Sequence, residues 1–392
     1  MNLKLFNKIT GIAISNLSIF INFFTITLMM ILFSFFNYLN LAAEIALLTS
    51  FTFFLCQVFS ANTRQLQFKK KYNEDIKILF KFRFVVFLII LFFSIFLINI
   101  LNFDHKILLV LLAILICTQW LFEIIMTSCE VKKEYTKLFL SLLINLFFLI
   151  SLFLLILSDY VQYLIYLVVI IIFSYPILFL SDLNQISKLK PSKLSILSFL
   201  KQSIKNFQLI SSFSIHFSNL IWRFSIYLIV GKTTAGLLFG SYAIGSFFGT
   251  FYTNIIGPKI HSSKKIYNNF FLSLLVFIAF LFFILLALLT IDEFTNFKDL
   301  ANESQVRKIT IMFSLIGSFI MIISNIFRFK YFFSSNEENV FKLDIYYSLI
   351  IASLVYSIYY TIGKEYLIMA YLFAAVISLA VYSIPFLKKI NV

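Results

Sequence analysis

The stretch KLFLSLLINLFFLISLFLLIL, residues 137–157, carries no charge after its first position. At about 1.5 Å of rise per residue, a helix of this length crosses the roughly 30 Å hydrocarbon layer of a bilayer. Comparable runs recur along the 392-residue chain, which is 61% hydrophobic and only 12% charged. A soluble domain is far less apolar. The composition therefore indicates an integral membrane protein that crosses the bilayer many times.

Hydropathy predicts two successive sets of six spans. They cover roughly residues 10–35, 40–62, 83–102, 107–128, 137–157 and 160–181, followed by 207–230, 234–257, 268–290, 308–327, 343–362 and 366–387. The first run follows Lys4 and Lys8 without a small-residue cleavage site, which predicts an uncleaved first helix rather than a signal peptide. We expect an all-α integral membrane protein of about 12 transmembrane helices, arranged as two six-helix lobes around a central cavity.

The basic residues predict the orientation of the chain. With a cytoplasmic N-terminus, 25 of the 32 Lys and Arg residues fall in cytoplasmic segments, 6 on the outer side, and Arg223 within a span. Both termini are therefore expected in the cytoplasm. The formal charge of +15 is dispersed over many short loops, which argues against nucleic-acid binding. Because these predicted loops are short, no soluble catalytic domain is expected between the spans. The three cysteines have no metal-binding spacing, so no disulfide framework or metal site is predicted.

Three pairs of short motifs indicate an internal repeat with a period near 205 residues. SNL at 15–17 recurs at 218–220, DYVQYLIYL from Asp159 parallels EYLIMAYLF from Glu365, and Pro176 parallels Pro385. The order and nearly constant offset predict an N-terminal lobe at 1–181, a cytoplasmic linker at 182–206 and a C-terminal lobe at 207–392. Transporters built from two such halves bind their substrate at the interface between them.

Polar residues recur at helical spacing within the spans. In the seventh span, Gln208, Ser212, His216, Asn219 and Arg223 share one helical face. The first, fourth and tenth spans carry similar stripes: Ser15, Ser18, Asn22 and Thr25; Gln119, Glu123, Thr127 and Glu130; and Ser314, Ser318, Asn325 and Arg328. Because unpaired polar groups are costly in hydrocarbon, these faces are predicted to line a cavity or to bond to neighbouring helices.

The charged residues in these stripes are the main candidates for function, since a charge at the centre of a span costs about 2.5–3.5 kcal/mol. Arg223 is interpreted as a cation facing the cavity, or else as a side chain that extends to the membrane surface. Glu123 could couple transport to an ion or pair with Arg223. His216 is expected to be a neutral lining residue, and Arg64 is a further cavity candidate with interfacial anchoring as its alternative.

Six of the nine glycines fall between Gly231 and Gly257. GLLFG (236–240) and GSFFG (245–249) are small-xxx-small patterns, which permit close approach of helix backbones. We therefore expect tight packing along the eighth span.

The segment RFSIYLIVGKTTAGLLFGSYAIGSFFGTFYTNIIGPKI (223–260) resembles the polysaccharide and O-antigen flippases of the multidrug/oligosaccharidyl-lipid/polysaccharide superfamily. The resemblance rests on Arg223, Gly231, Ala235, Gly236, Tyr242 and Pro258. Where the family usually has an acidic residue before the arginine, this chain has Trp222.

The resemblance implies a flippase that moves an undecaprenyl-diphosphate-linked oligosaccharide across the bacterial inner membrane by alternating access. Arginine suits a diphosphate because it stays charged and binds phosphate oxygens bidentately. We expect no enzymatic activity and no cofactor, with proton or sodium coupling left open. The predicted cavity residues are Arg223, His216, Asn219, Ser212, Asn22, Ser18 and Arg64, with Glu123 for ion coupling or charge pairing.

Two other functions are compatible with the sequence. A drug or cation antiporter of the same fold would use Glu123 as its coupling carboxylate. A membrane glycan polymerase or ligase is less favoured, because the longest outer loop, residues 291–307, has only about 17 residues. The expected partners are a lipid-linked oligosaccharide, membrane lipids, and the glycan polymerase and chain-length proteins of such a pathway. We expect a monomer.

Overall fold

The computed structural model describes residues 3–60, 76–188, 208–252, 302–333 and 337–390, and all regular structure within these ranges is helical. The first part of the chain forms α1 (Leu3–Phe35), α2 (Leu39–Ser60), α3 (Ile76–Ile100), α4 (Lys106–Lys132), α5 (Tyr135–Leu157), α6 (Leu164–Leu178) and α7 (Leu180–Lys188). The later part forms α8 (Gln208–Val230), α9 (Lys232–Gly245), α10 (Phe247–Phe251), α11 (Glu303–Phe333), α12 (Glu337–Thr361) and α13 (Ala370–Ile390). Short 3₁₀ turns, Val161–Tyr163 and Lys364–Met369, precede α6 and α13.

These helices confirm the prediction of a multi-helix membrane fold. Eleven of the predicted spans coincide with described helices over the residues that the structure describes. The end of the span predicted at 234–257 and the whole span predicted at 268–290 lie outside those residues. Within the described ranges, nine helical segments are long and apolar enough to cross a bilayer. The chain is therefore a multi-pass membrane protein.

The third span begins earlier than the sequence predicts. Helix α3 starts at Ile76, and its apolar part starts at Leu79, whereas the predicted span starts at residue 83. Arg83 consequently lies within the span and is only 1% exposed, although hydropathy placed it at the membrane border. A charge is tolerated there because Arg83 forms an ion pair with Glu123.

The chain divides into two compact units. Unit 1 consists of Met1–Leu32 and Leu48–Ser212, and unit 2 consists of Phe33–Leu47 and Phe213–Val392. In unit 1, α4 is buried around most of its circumference, whereas α3 and α5 keep apolar faces exposed as lipid-facing helices do. In unit 2, α11 packs against α9, α10, α12 and α13. The lobe boundaries inferred from the sequence repeat remain a prediction.

The connections of the two halves share unusual backbone geometry. Asn37 between α1 and α2 and Gly231 between α8 and α9 have positive φ angles of 62° and 82°. Asp159 and Gly363, which precede the two 3₁₀ turns, have φ angles of 56° and 122°. Left-handed residues of this kind reverse the chain tightly at helix ends.

The glycines of α9 and α10 pack closely, as the small-xxx-small patterns predict. A methyl group added at Gly245 would overlap Ser314 and the backbone oxygen of Ile311 on α11. The same change at Gly249 would place a carbon 2.9 Å from Ser318 Oγ, which also accepts a hydrogen bond from the Gly249 amide. Glycine is required here because the backbones of the two helices approach too closely for a side chain.

Candidate functional site

A neutral polar network occupies the interior of unit 1. Tyr175 on α6 donates its hydroxyl proton to Asn22 Oδ1 on α1, and Asn145 Nδ2 on α5 donates to Tyr175 Oη at 2.9 Å. Thr25 Oγ1 donates to Asn145 Oδ1 at 2.9 Å, and Gln119 Nε2 on α4 lies 3.4 Å from Tyr175 Oη. All five side chains are buried. The network joins four helices through amides and hydroxyls without placing a charge among them.

Two residues of the polar stripe predicted for the first span, Asn22 and Thr25, belong to this network. Ser18, Asn22 and Thr25 all lie in the interior of unit 1, where Asn22 and Thr25 bond to other helices. Ser18 Oγ has no hydrogen-bond partner among the described residues. The observed contacts are those of interhelical bonding, the alternative that the sequence left open. A role of Ser18 and Asn22 in lining a substrate cavity stays a prediction.

A buried ion pair lies one helical turn along α4 from Gln119. Arg83 Nη1 lies 3.0 Å from Glu123 Oε2, and the same nitrogen donates to the backbone oxygen of Trp120. The guanidinium also lies over the Trp120 ring, 4.7 Å from its centroid. Glu123 is thus charge-paired, but with Arg83 instead of Arg223. Sequence reasoning missed Arg83 because it stands next to the basic loop that precedes α3.

Unit 2 contains a second buried ion pair. Arg328 on α11 binds Asp344 on α12 through two bonds, Nε to Oδ1 at 2.9 Å and Nη2 to Oδ2 at 2.8 Å. Tyr382 on α13 donates its hydroxyl proton to Asp344 Oδ1. Asp344 is completely buried, so both carboxylate oxygens are bonded inside the protein. The sequence placed Arg328 on a polar stripe, but no sequence pattern marked Asp344 or Tyr382 as its partners.

The stripe of the seventh span lies on α8. Ser212 is buried and donates to the backbone oxygen of Gln57 at 2.9 Å, His216 is partly buried, and Asn219 is exposed. Arg223 is partly exposed, and its Nη1 donates to the backbone oxygen of Ala46 on α2 at 3.1 Å. Its guanidinium lies 5.9 Å from the centroid of the Phe239 ring. The side chain of Gln208 and the whole of Arg64 lie outside the described residues.

Trp222, the residue that departs from the flippase pattern, packs against Tyr242, which belongs to it. Their ring centroids are 5.2 Å apart, and Tyr242 donates its hydroxyl proton to the backbone oxygen of Leu367. Trp222 therefore joins α8 to α9 and, through Tyr242, to the 3₁₀ turn before α13. An acidic side chain at this position would lack that aromatic contact.

A third group of charges joins the α4–α5 turn to α7. Lys137 Nζ lies 2.8 Å from Asp182 Oδ1 and 3.0 Å from Glu134 Oε2, and Cys129 Sγ lies 3.8 Å from the same Glu134 oxygen. The thiol and the two carboxylates could hold a metal ion by distance alone. Lys137 already supplies the cation between the carboxylates, which makes this an ion-pair cluster. Its hydrogen bond holds the pKa of Glu134 below the usual range.

Similar proteins were found by comparison of structures and not by comparison of sequences. Neither a protein-family model nor a curated protein matches the sequence. Among solved structures, a MATE mutant superposes with a TM-score of 0.52 at 12% sequence identity, covering 97% of each chain. MATE in a bent conformation gives a TM-score of 0.53 at 12% identity, over 97% of this chain and 98% of the other.

The chain has the fold of the MATE transporters. A further structure with this fold, a MOP superfamily transporter from Pyrococcus furiosus whose binding pocket is described as reversed in polarity, gives a TM-score of 0.50 at 11% identity. That match covers 96% of this chain and 94% of the other. Because the MATE fold is matched over nearly the whole chain at such low identity, the comparisons establish the architecture but assign no residue a role.

Proposed function

We propose that this chain is a MOP superfamily transporter that moves an anionic lipid-linked cargo, an oligosaccharide joined to a polyprenyl diphosphate, from one leaflet to the other. The MATE fold supports transport as the general activity. The observation that carries the choice of cargo is that the carboxylates within the described spans are paired with basic side chains. A cationic cargo would have to displace such a basic partner, whereas an anionic cargo would not.

Three carboxylates lie at least five residues inside the ends of the described spans: Glu44, Glu123 and Asp344. Each already binds a basic side chain, Glu44 with Lys232 at 2.6 Å, Glu123 with Arg83, and Asp344 with Arg328. A cation antiporter needs a carboxylate that can exchange its cation for a substrate or a proton. For Glu123 and Asp344, such an exchange would leave an arginine within a span without its carboxylate, which is strongly unfavourable.

Arg223 is our candidate for contact with the diphosphate. Its Nη1 donates to the backbone oxygen of Ala46, and the residue is partly exposed. A guanidinium binds phosphate oxygens bidentately and remains charged when desolvated. Ser212, His216 and Asn219 stand on the same helical face and could offer neutral hydrogen-bond partners to sugar hydroxyls. Ser18, Asn22 and Arg64 remain further candidates for the lining.

The proposal also specifies the membrane, the orientation of the chain and the direction of transport. The distribution of Lys and Arg favours an orientation with both termini in the cytoplasm. The resemblance to the flippases implies the bacterial inner membrane and transport from the cytoplasmic to the outer leaflet. It requires no cofactor and no enzymatic step. Proton or sodium coupling and cooperation with a glycan polymerase and chain-length proteins belong to the same proposal.

Substitutions of Arg223 test the role of its charge. In a strain that lacks the gene, we expect Arg223→Ala and Arg223→Gln to abolish surface glycan while the protein still inserts, and Arg223→Lys to retain part of the export. The glutamine keeps a donor for the Ala46 oxygen but has no charge, so it separates cargo binding from helix contact. Normal surface glycan with Arg223→Gln would refute the assignment.

The antiporter alternative is tested in the same experiment. Expression in a host without its own efflux pumps should leave drug resistance unchanged if the cargo is a lipid-linked glycan. Raised resistance that is lost with Glu123→Gln would favour the antiporter instead. Lys364→Ala, at the end of a span, serves as a matched loss of positive charge that should affect neither measurement.

A further inference from the structure

Helices α1 and α2 each belong to both units of the molecule. Their connected ends, Phe33–Leu47, belong to unit 2, whereas the rest of both helices belongs to unit 1. We call residues 33–47 the α1–α2 hairpin. Its turn is closed by a hydrogen bond from the Tyr38 amide to the Phe33 oxygen at 2.9 Å, with Asn37 in the left-handed conformation. The contacts of this hairpin suggest a conformational role.

Arg307, near the start of α11, binds the first half of the hairpin. Its Nη2 donates to the backbone oxygen of Ser34 at 2.9 Å and lies 3.3 Å from Asn37 Oδ1, and its Nη1 lies 3.3 Å from the oxygen of Phe35. The last carbonyl groups of a helix have no partner within the helix and attract positive charge. Arg307 therefore caps the C-terminal end of α1 from unit 2.

The second half of the hairpin is bound by the α8–α9 region. Thr233 Oγ1 donates to Asn40 Oδ1 at 3.0 Å, and Lys232 Nζ lies 2.6 Å from Glu44 Oε1. Arg223 then binds the oxygen of Ala46, one residue before the hairpin ends. Polar contacts thus follow the hairpin from the end of α1 to the point where α2 passes into unit 1.

Close backbone packing accompanies these polar contacts. A methyl group at Gly236 would overlap the backbone oxygen of Leu39, and one at Gly240 would overlap the side chain of Ser34. Both glycines therefore provide a smooth surface on α9 against which the hairpin lies. The contact between the hairpin and α9 can therefore open and close again without side chains at these two positions having to interdigitate.

We propose that the α1–α2 hairpin is a releasable clasp, held on unit 2 by Arg307, Lys232 and Thr233 and freed during each transport cycle. The physical reason is connectivity. Because α1 and α2 continue into unit 1, a rearrangement of the units must either deform both helices or release the hairpin. Releasing the hairpin breaks a few polar contacts, of which the Lys232–Glu44 pair has a fully buried carboxylate, whereas unwinding two helices breaks many more hydrogen bonds. The proposal needs transport by alternating access, but not the particular cargo proposed above.

Reversible cross-linking tests whether the clasp must open. In a chain whose three cysteines are replaced by alanine, Asn40→Cys and Thr233→Cys would be joined by a short bifunctional methanethiosulfonate. We expect the joined protein to lose glycan export and to regain it with reductant. Ser353→Cys with Ser357→Cys, two exposed positions on α12, is the matched control, since joining residues of one helix leaves the hairpin free. Full export by the Asn40–Thr233 cross-linked protein would overturn the proposal.

Labelling provides a measurement that does not depend on cargo. Ser34 lies in the hairpin and is buried against Gly240 of α9, so Ser34→Cys in the purified chain in lipid nanodiscs should react slowly with a water-soluble maleimide. Adding Lys232→Ala or Arg307→Gln should raise the labelling rate several-fold, and Lys364→Ala should not. Unchanged rates would contradict the clasp. The cargo is tested separately by deleting the gene. If the labelling rates rise but the deletion leaves surface glycan intact, the clasp is supported and the proposed cargo is refuted.

Discussion

The interiors of the two units are built around a buried tyrosine near the end of the sixth helix of each half, yet the chemistry around the two tyrosines differs. Tyr175 in unit 1 bonds to the amides of Asn22 and Asn145, whereas Tyr382 in unit 2 donates to the carboxylate of Asp344. Tyr382 follows Tyr175 by 207 residues, close to the repeat period of the sequence.

Charge separates the two units further. Arg328 follows Glu123 by 205 residues, so repeat-related positions carry opposite charges. In unit 1, the ion pair of Glu123 with Arg83 stands one helical turn from the neutral network, but in unit 2 the ion pair and the tyrosine form one group. Under the repeat predicted from the sequence, these two corresponding polar positions therefore differ in charge. We expect unit 2 to depend more strongly on each member of its cluster, because a lone buried charge is costly.

Removal of the carboxylate from unit 2 should cause the greatest loss of stability. Asp344→Ala leaves Arg328, whose side chain is only 15% exposed, without its partner, which is expected to cost about 4–5 kcal/mol of unfolding free energy. Thermal unfolding of the purified protein in detergent measures the loss. The double variant Arg328→Leu with Asp344→Leu should be more stable than Asp344→Ala, since no charge remains buried. Equal loss in both variants would show that packing, not charge, dominates there.

The ion pair of unit 1 should be less sensitive. Glu123→Ala removes the carboxylate from Arg83, but the guanidinium keeps the Trp120 oxygen and the Trp120 ring as partners. A loss of about 3 kcal/mol is therefore expected, measured by the same unfolding experiment. A greater loss than that of Asp344→Ala would reverse the ranking of the two units.

The tyrosines allow the most closely matched comparison, because each can lose its hydroxyl alone. Tyr382→Phe removes a bond to a charged acceptor and should cost about 2 kcal/mol, whereas Tyr175→Phe removes bonds to neutral amides and should cost about 1 kcal/mol. The two unfolding midpoints, measured side by side, give the difference. If Tyr175→Phe is the more damaging, then the neutral network is cooperative beyond its individual bonds.

The smallest effect is expected at the α4–α5 turn of unit 1, where Glu134 is partly exposed to water. Because its pKa lies below the ordinary 4.5, this carboxylate stabilises the folded state above that pH, and the contribution is lost as the pH falls through the lowered pKa. The difference in unfolding midpoint between wild type and Glu134→Gln should therefore shrink on acidification from pH 7 to below 4.5. Lys137→Met should remove this pH dependence, and its persistence would contradict the assigned cause.

Sequence reasoning predicted the helices well and the contacts poorly. Apolar runs of sufficient length identify a span wherever it packs, so eleven of the predicted spans coincide with described helices. Helical spacing also placed Asn22, Gln119 and Glu123 on polar faces. It could not supply their partners, because Asn145 and Tyr175 lie on other helices and helical spacing does not indicate which helices become neighbours. Arg83 was missed since a basic residue beside a basic loop resembles a membrane anchor.

The amino-acid sequence fixes which segments cross the membrane and which of their faces are polar, because hydropathy and helical period are local properties that each segment carries wherever it lies. The choice of partners depends on which helices become neighbours, and no local pattern contains that information. Folding therefore decided that Glu123 binds Arg83, that Asp344 binds Arg328, and that residues 33–47 join unit 2 although their helices continue into unit 1.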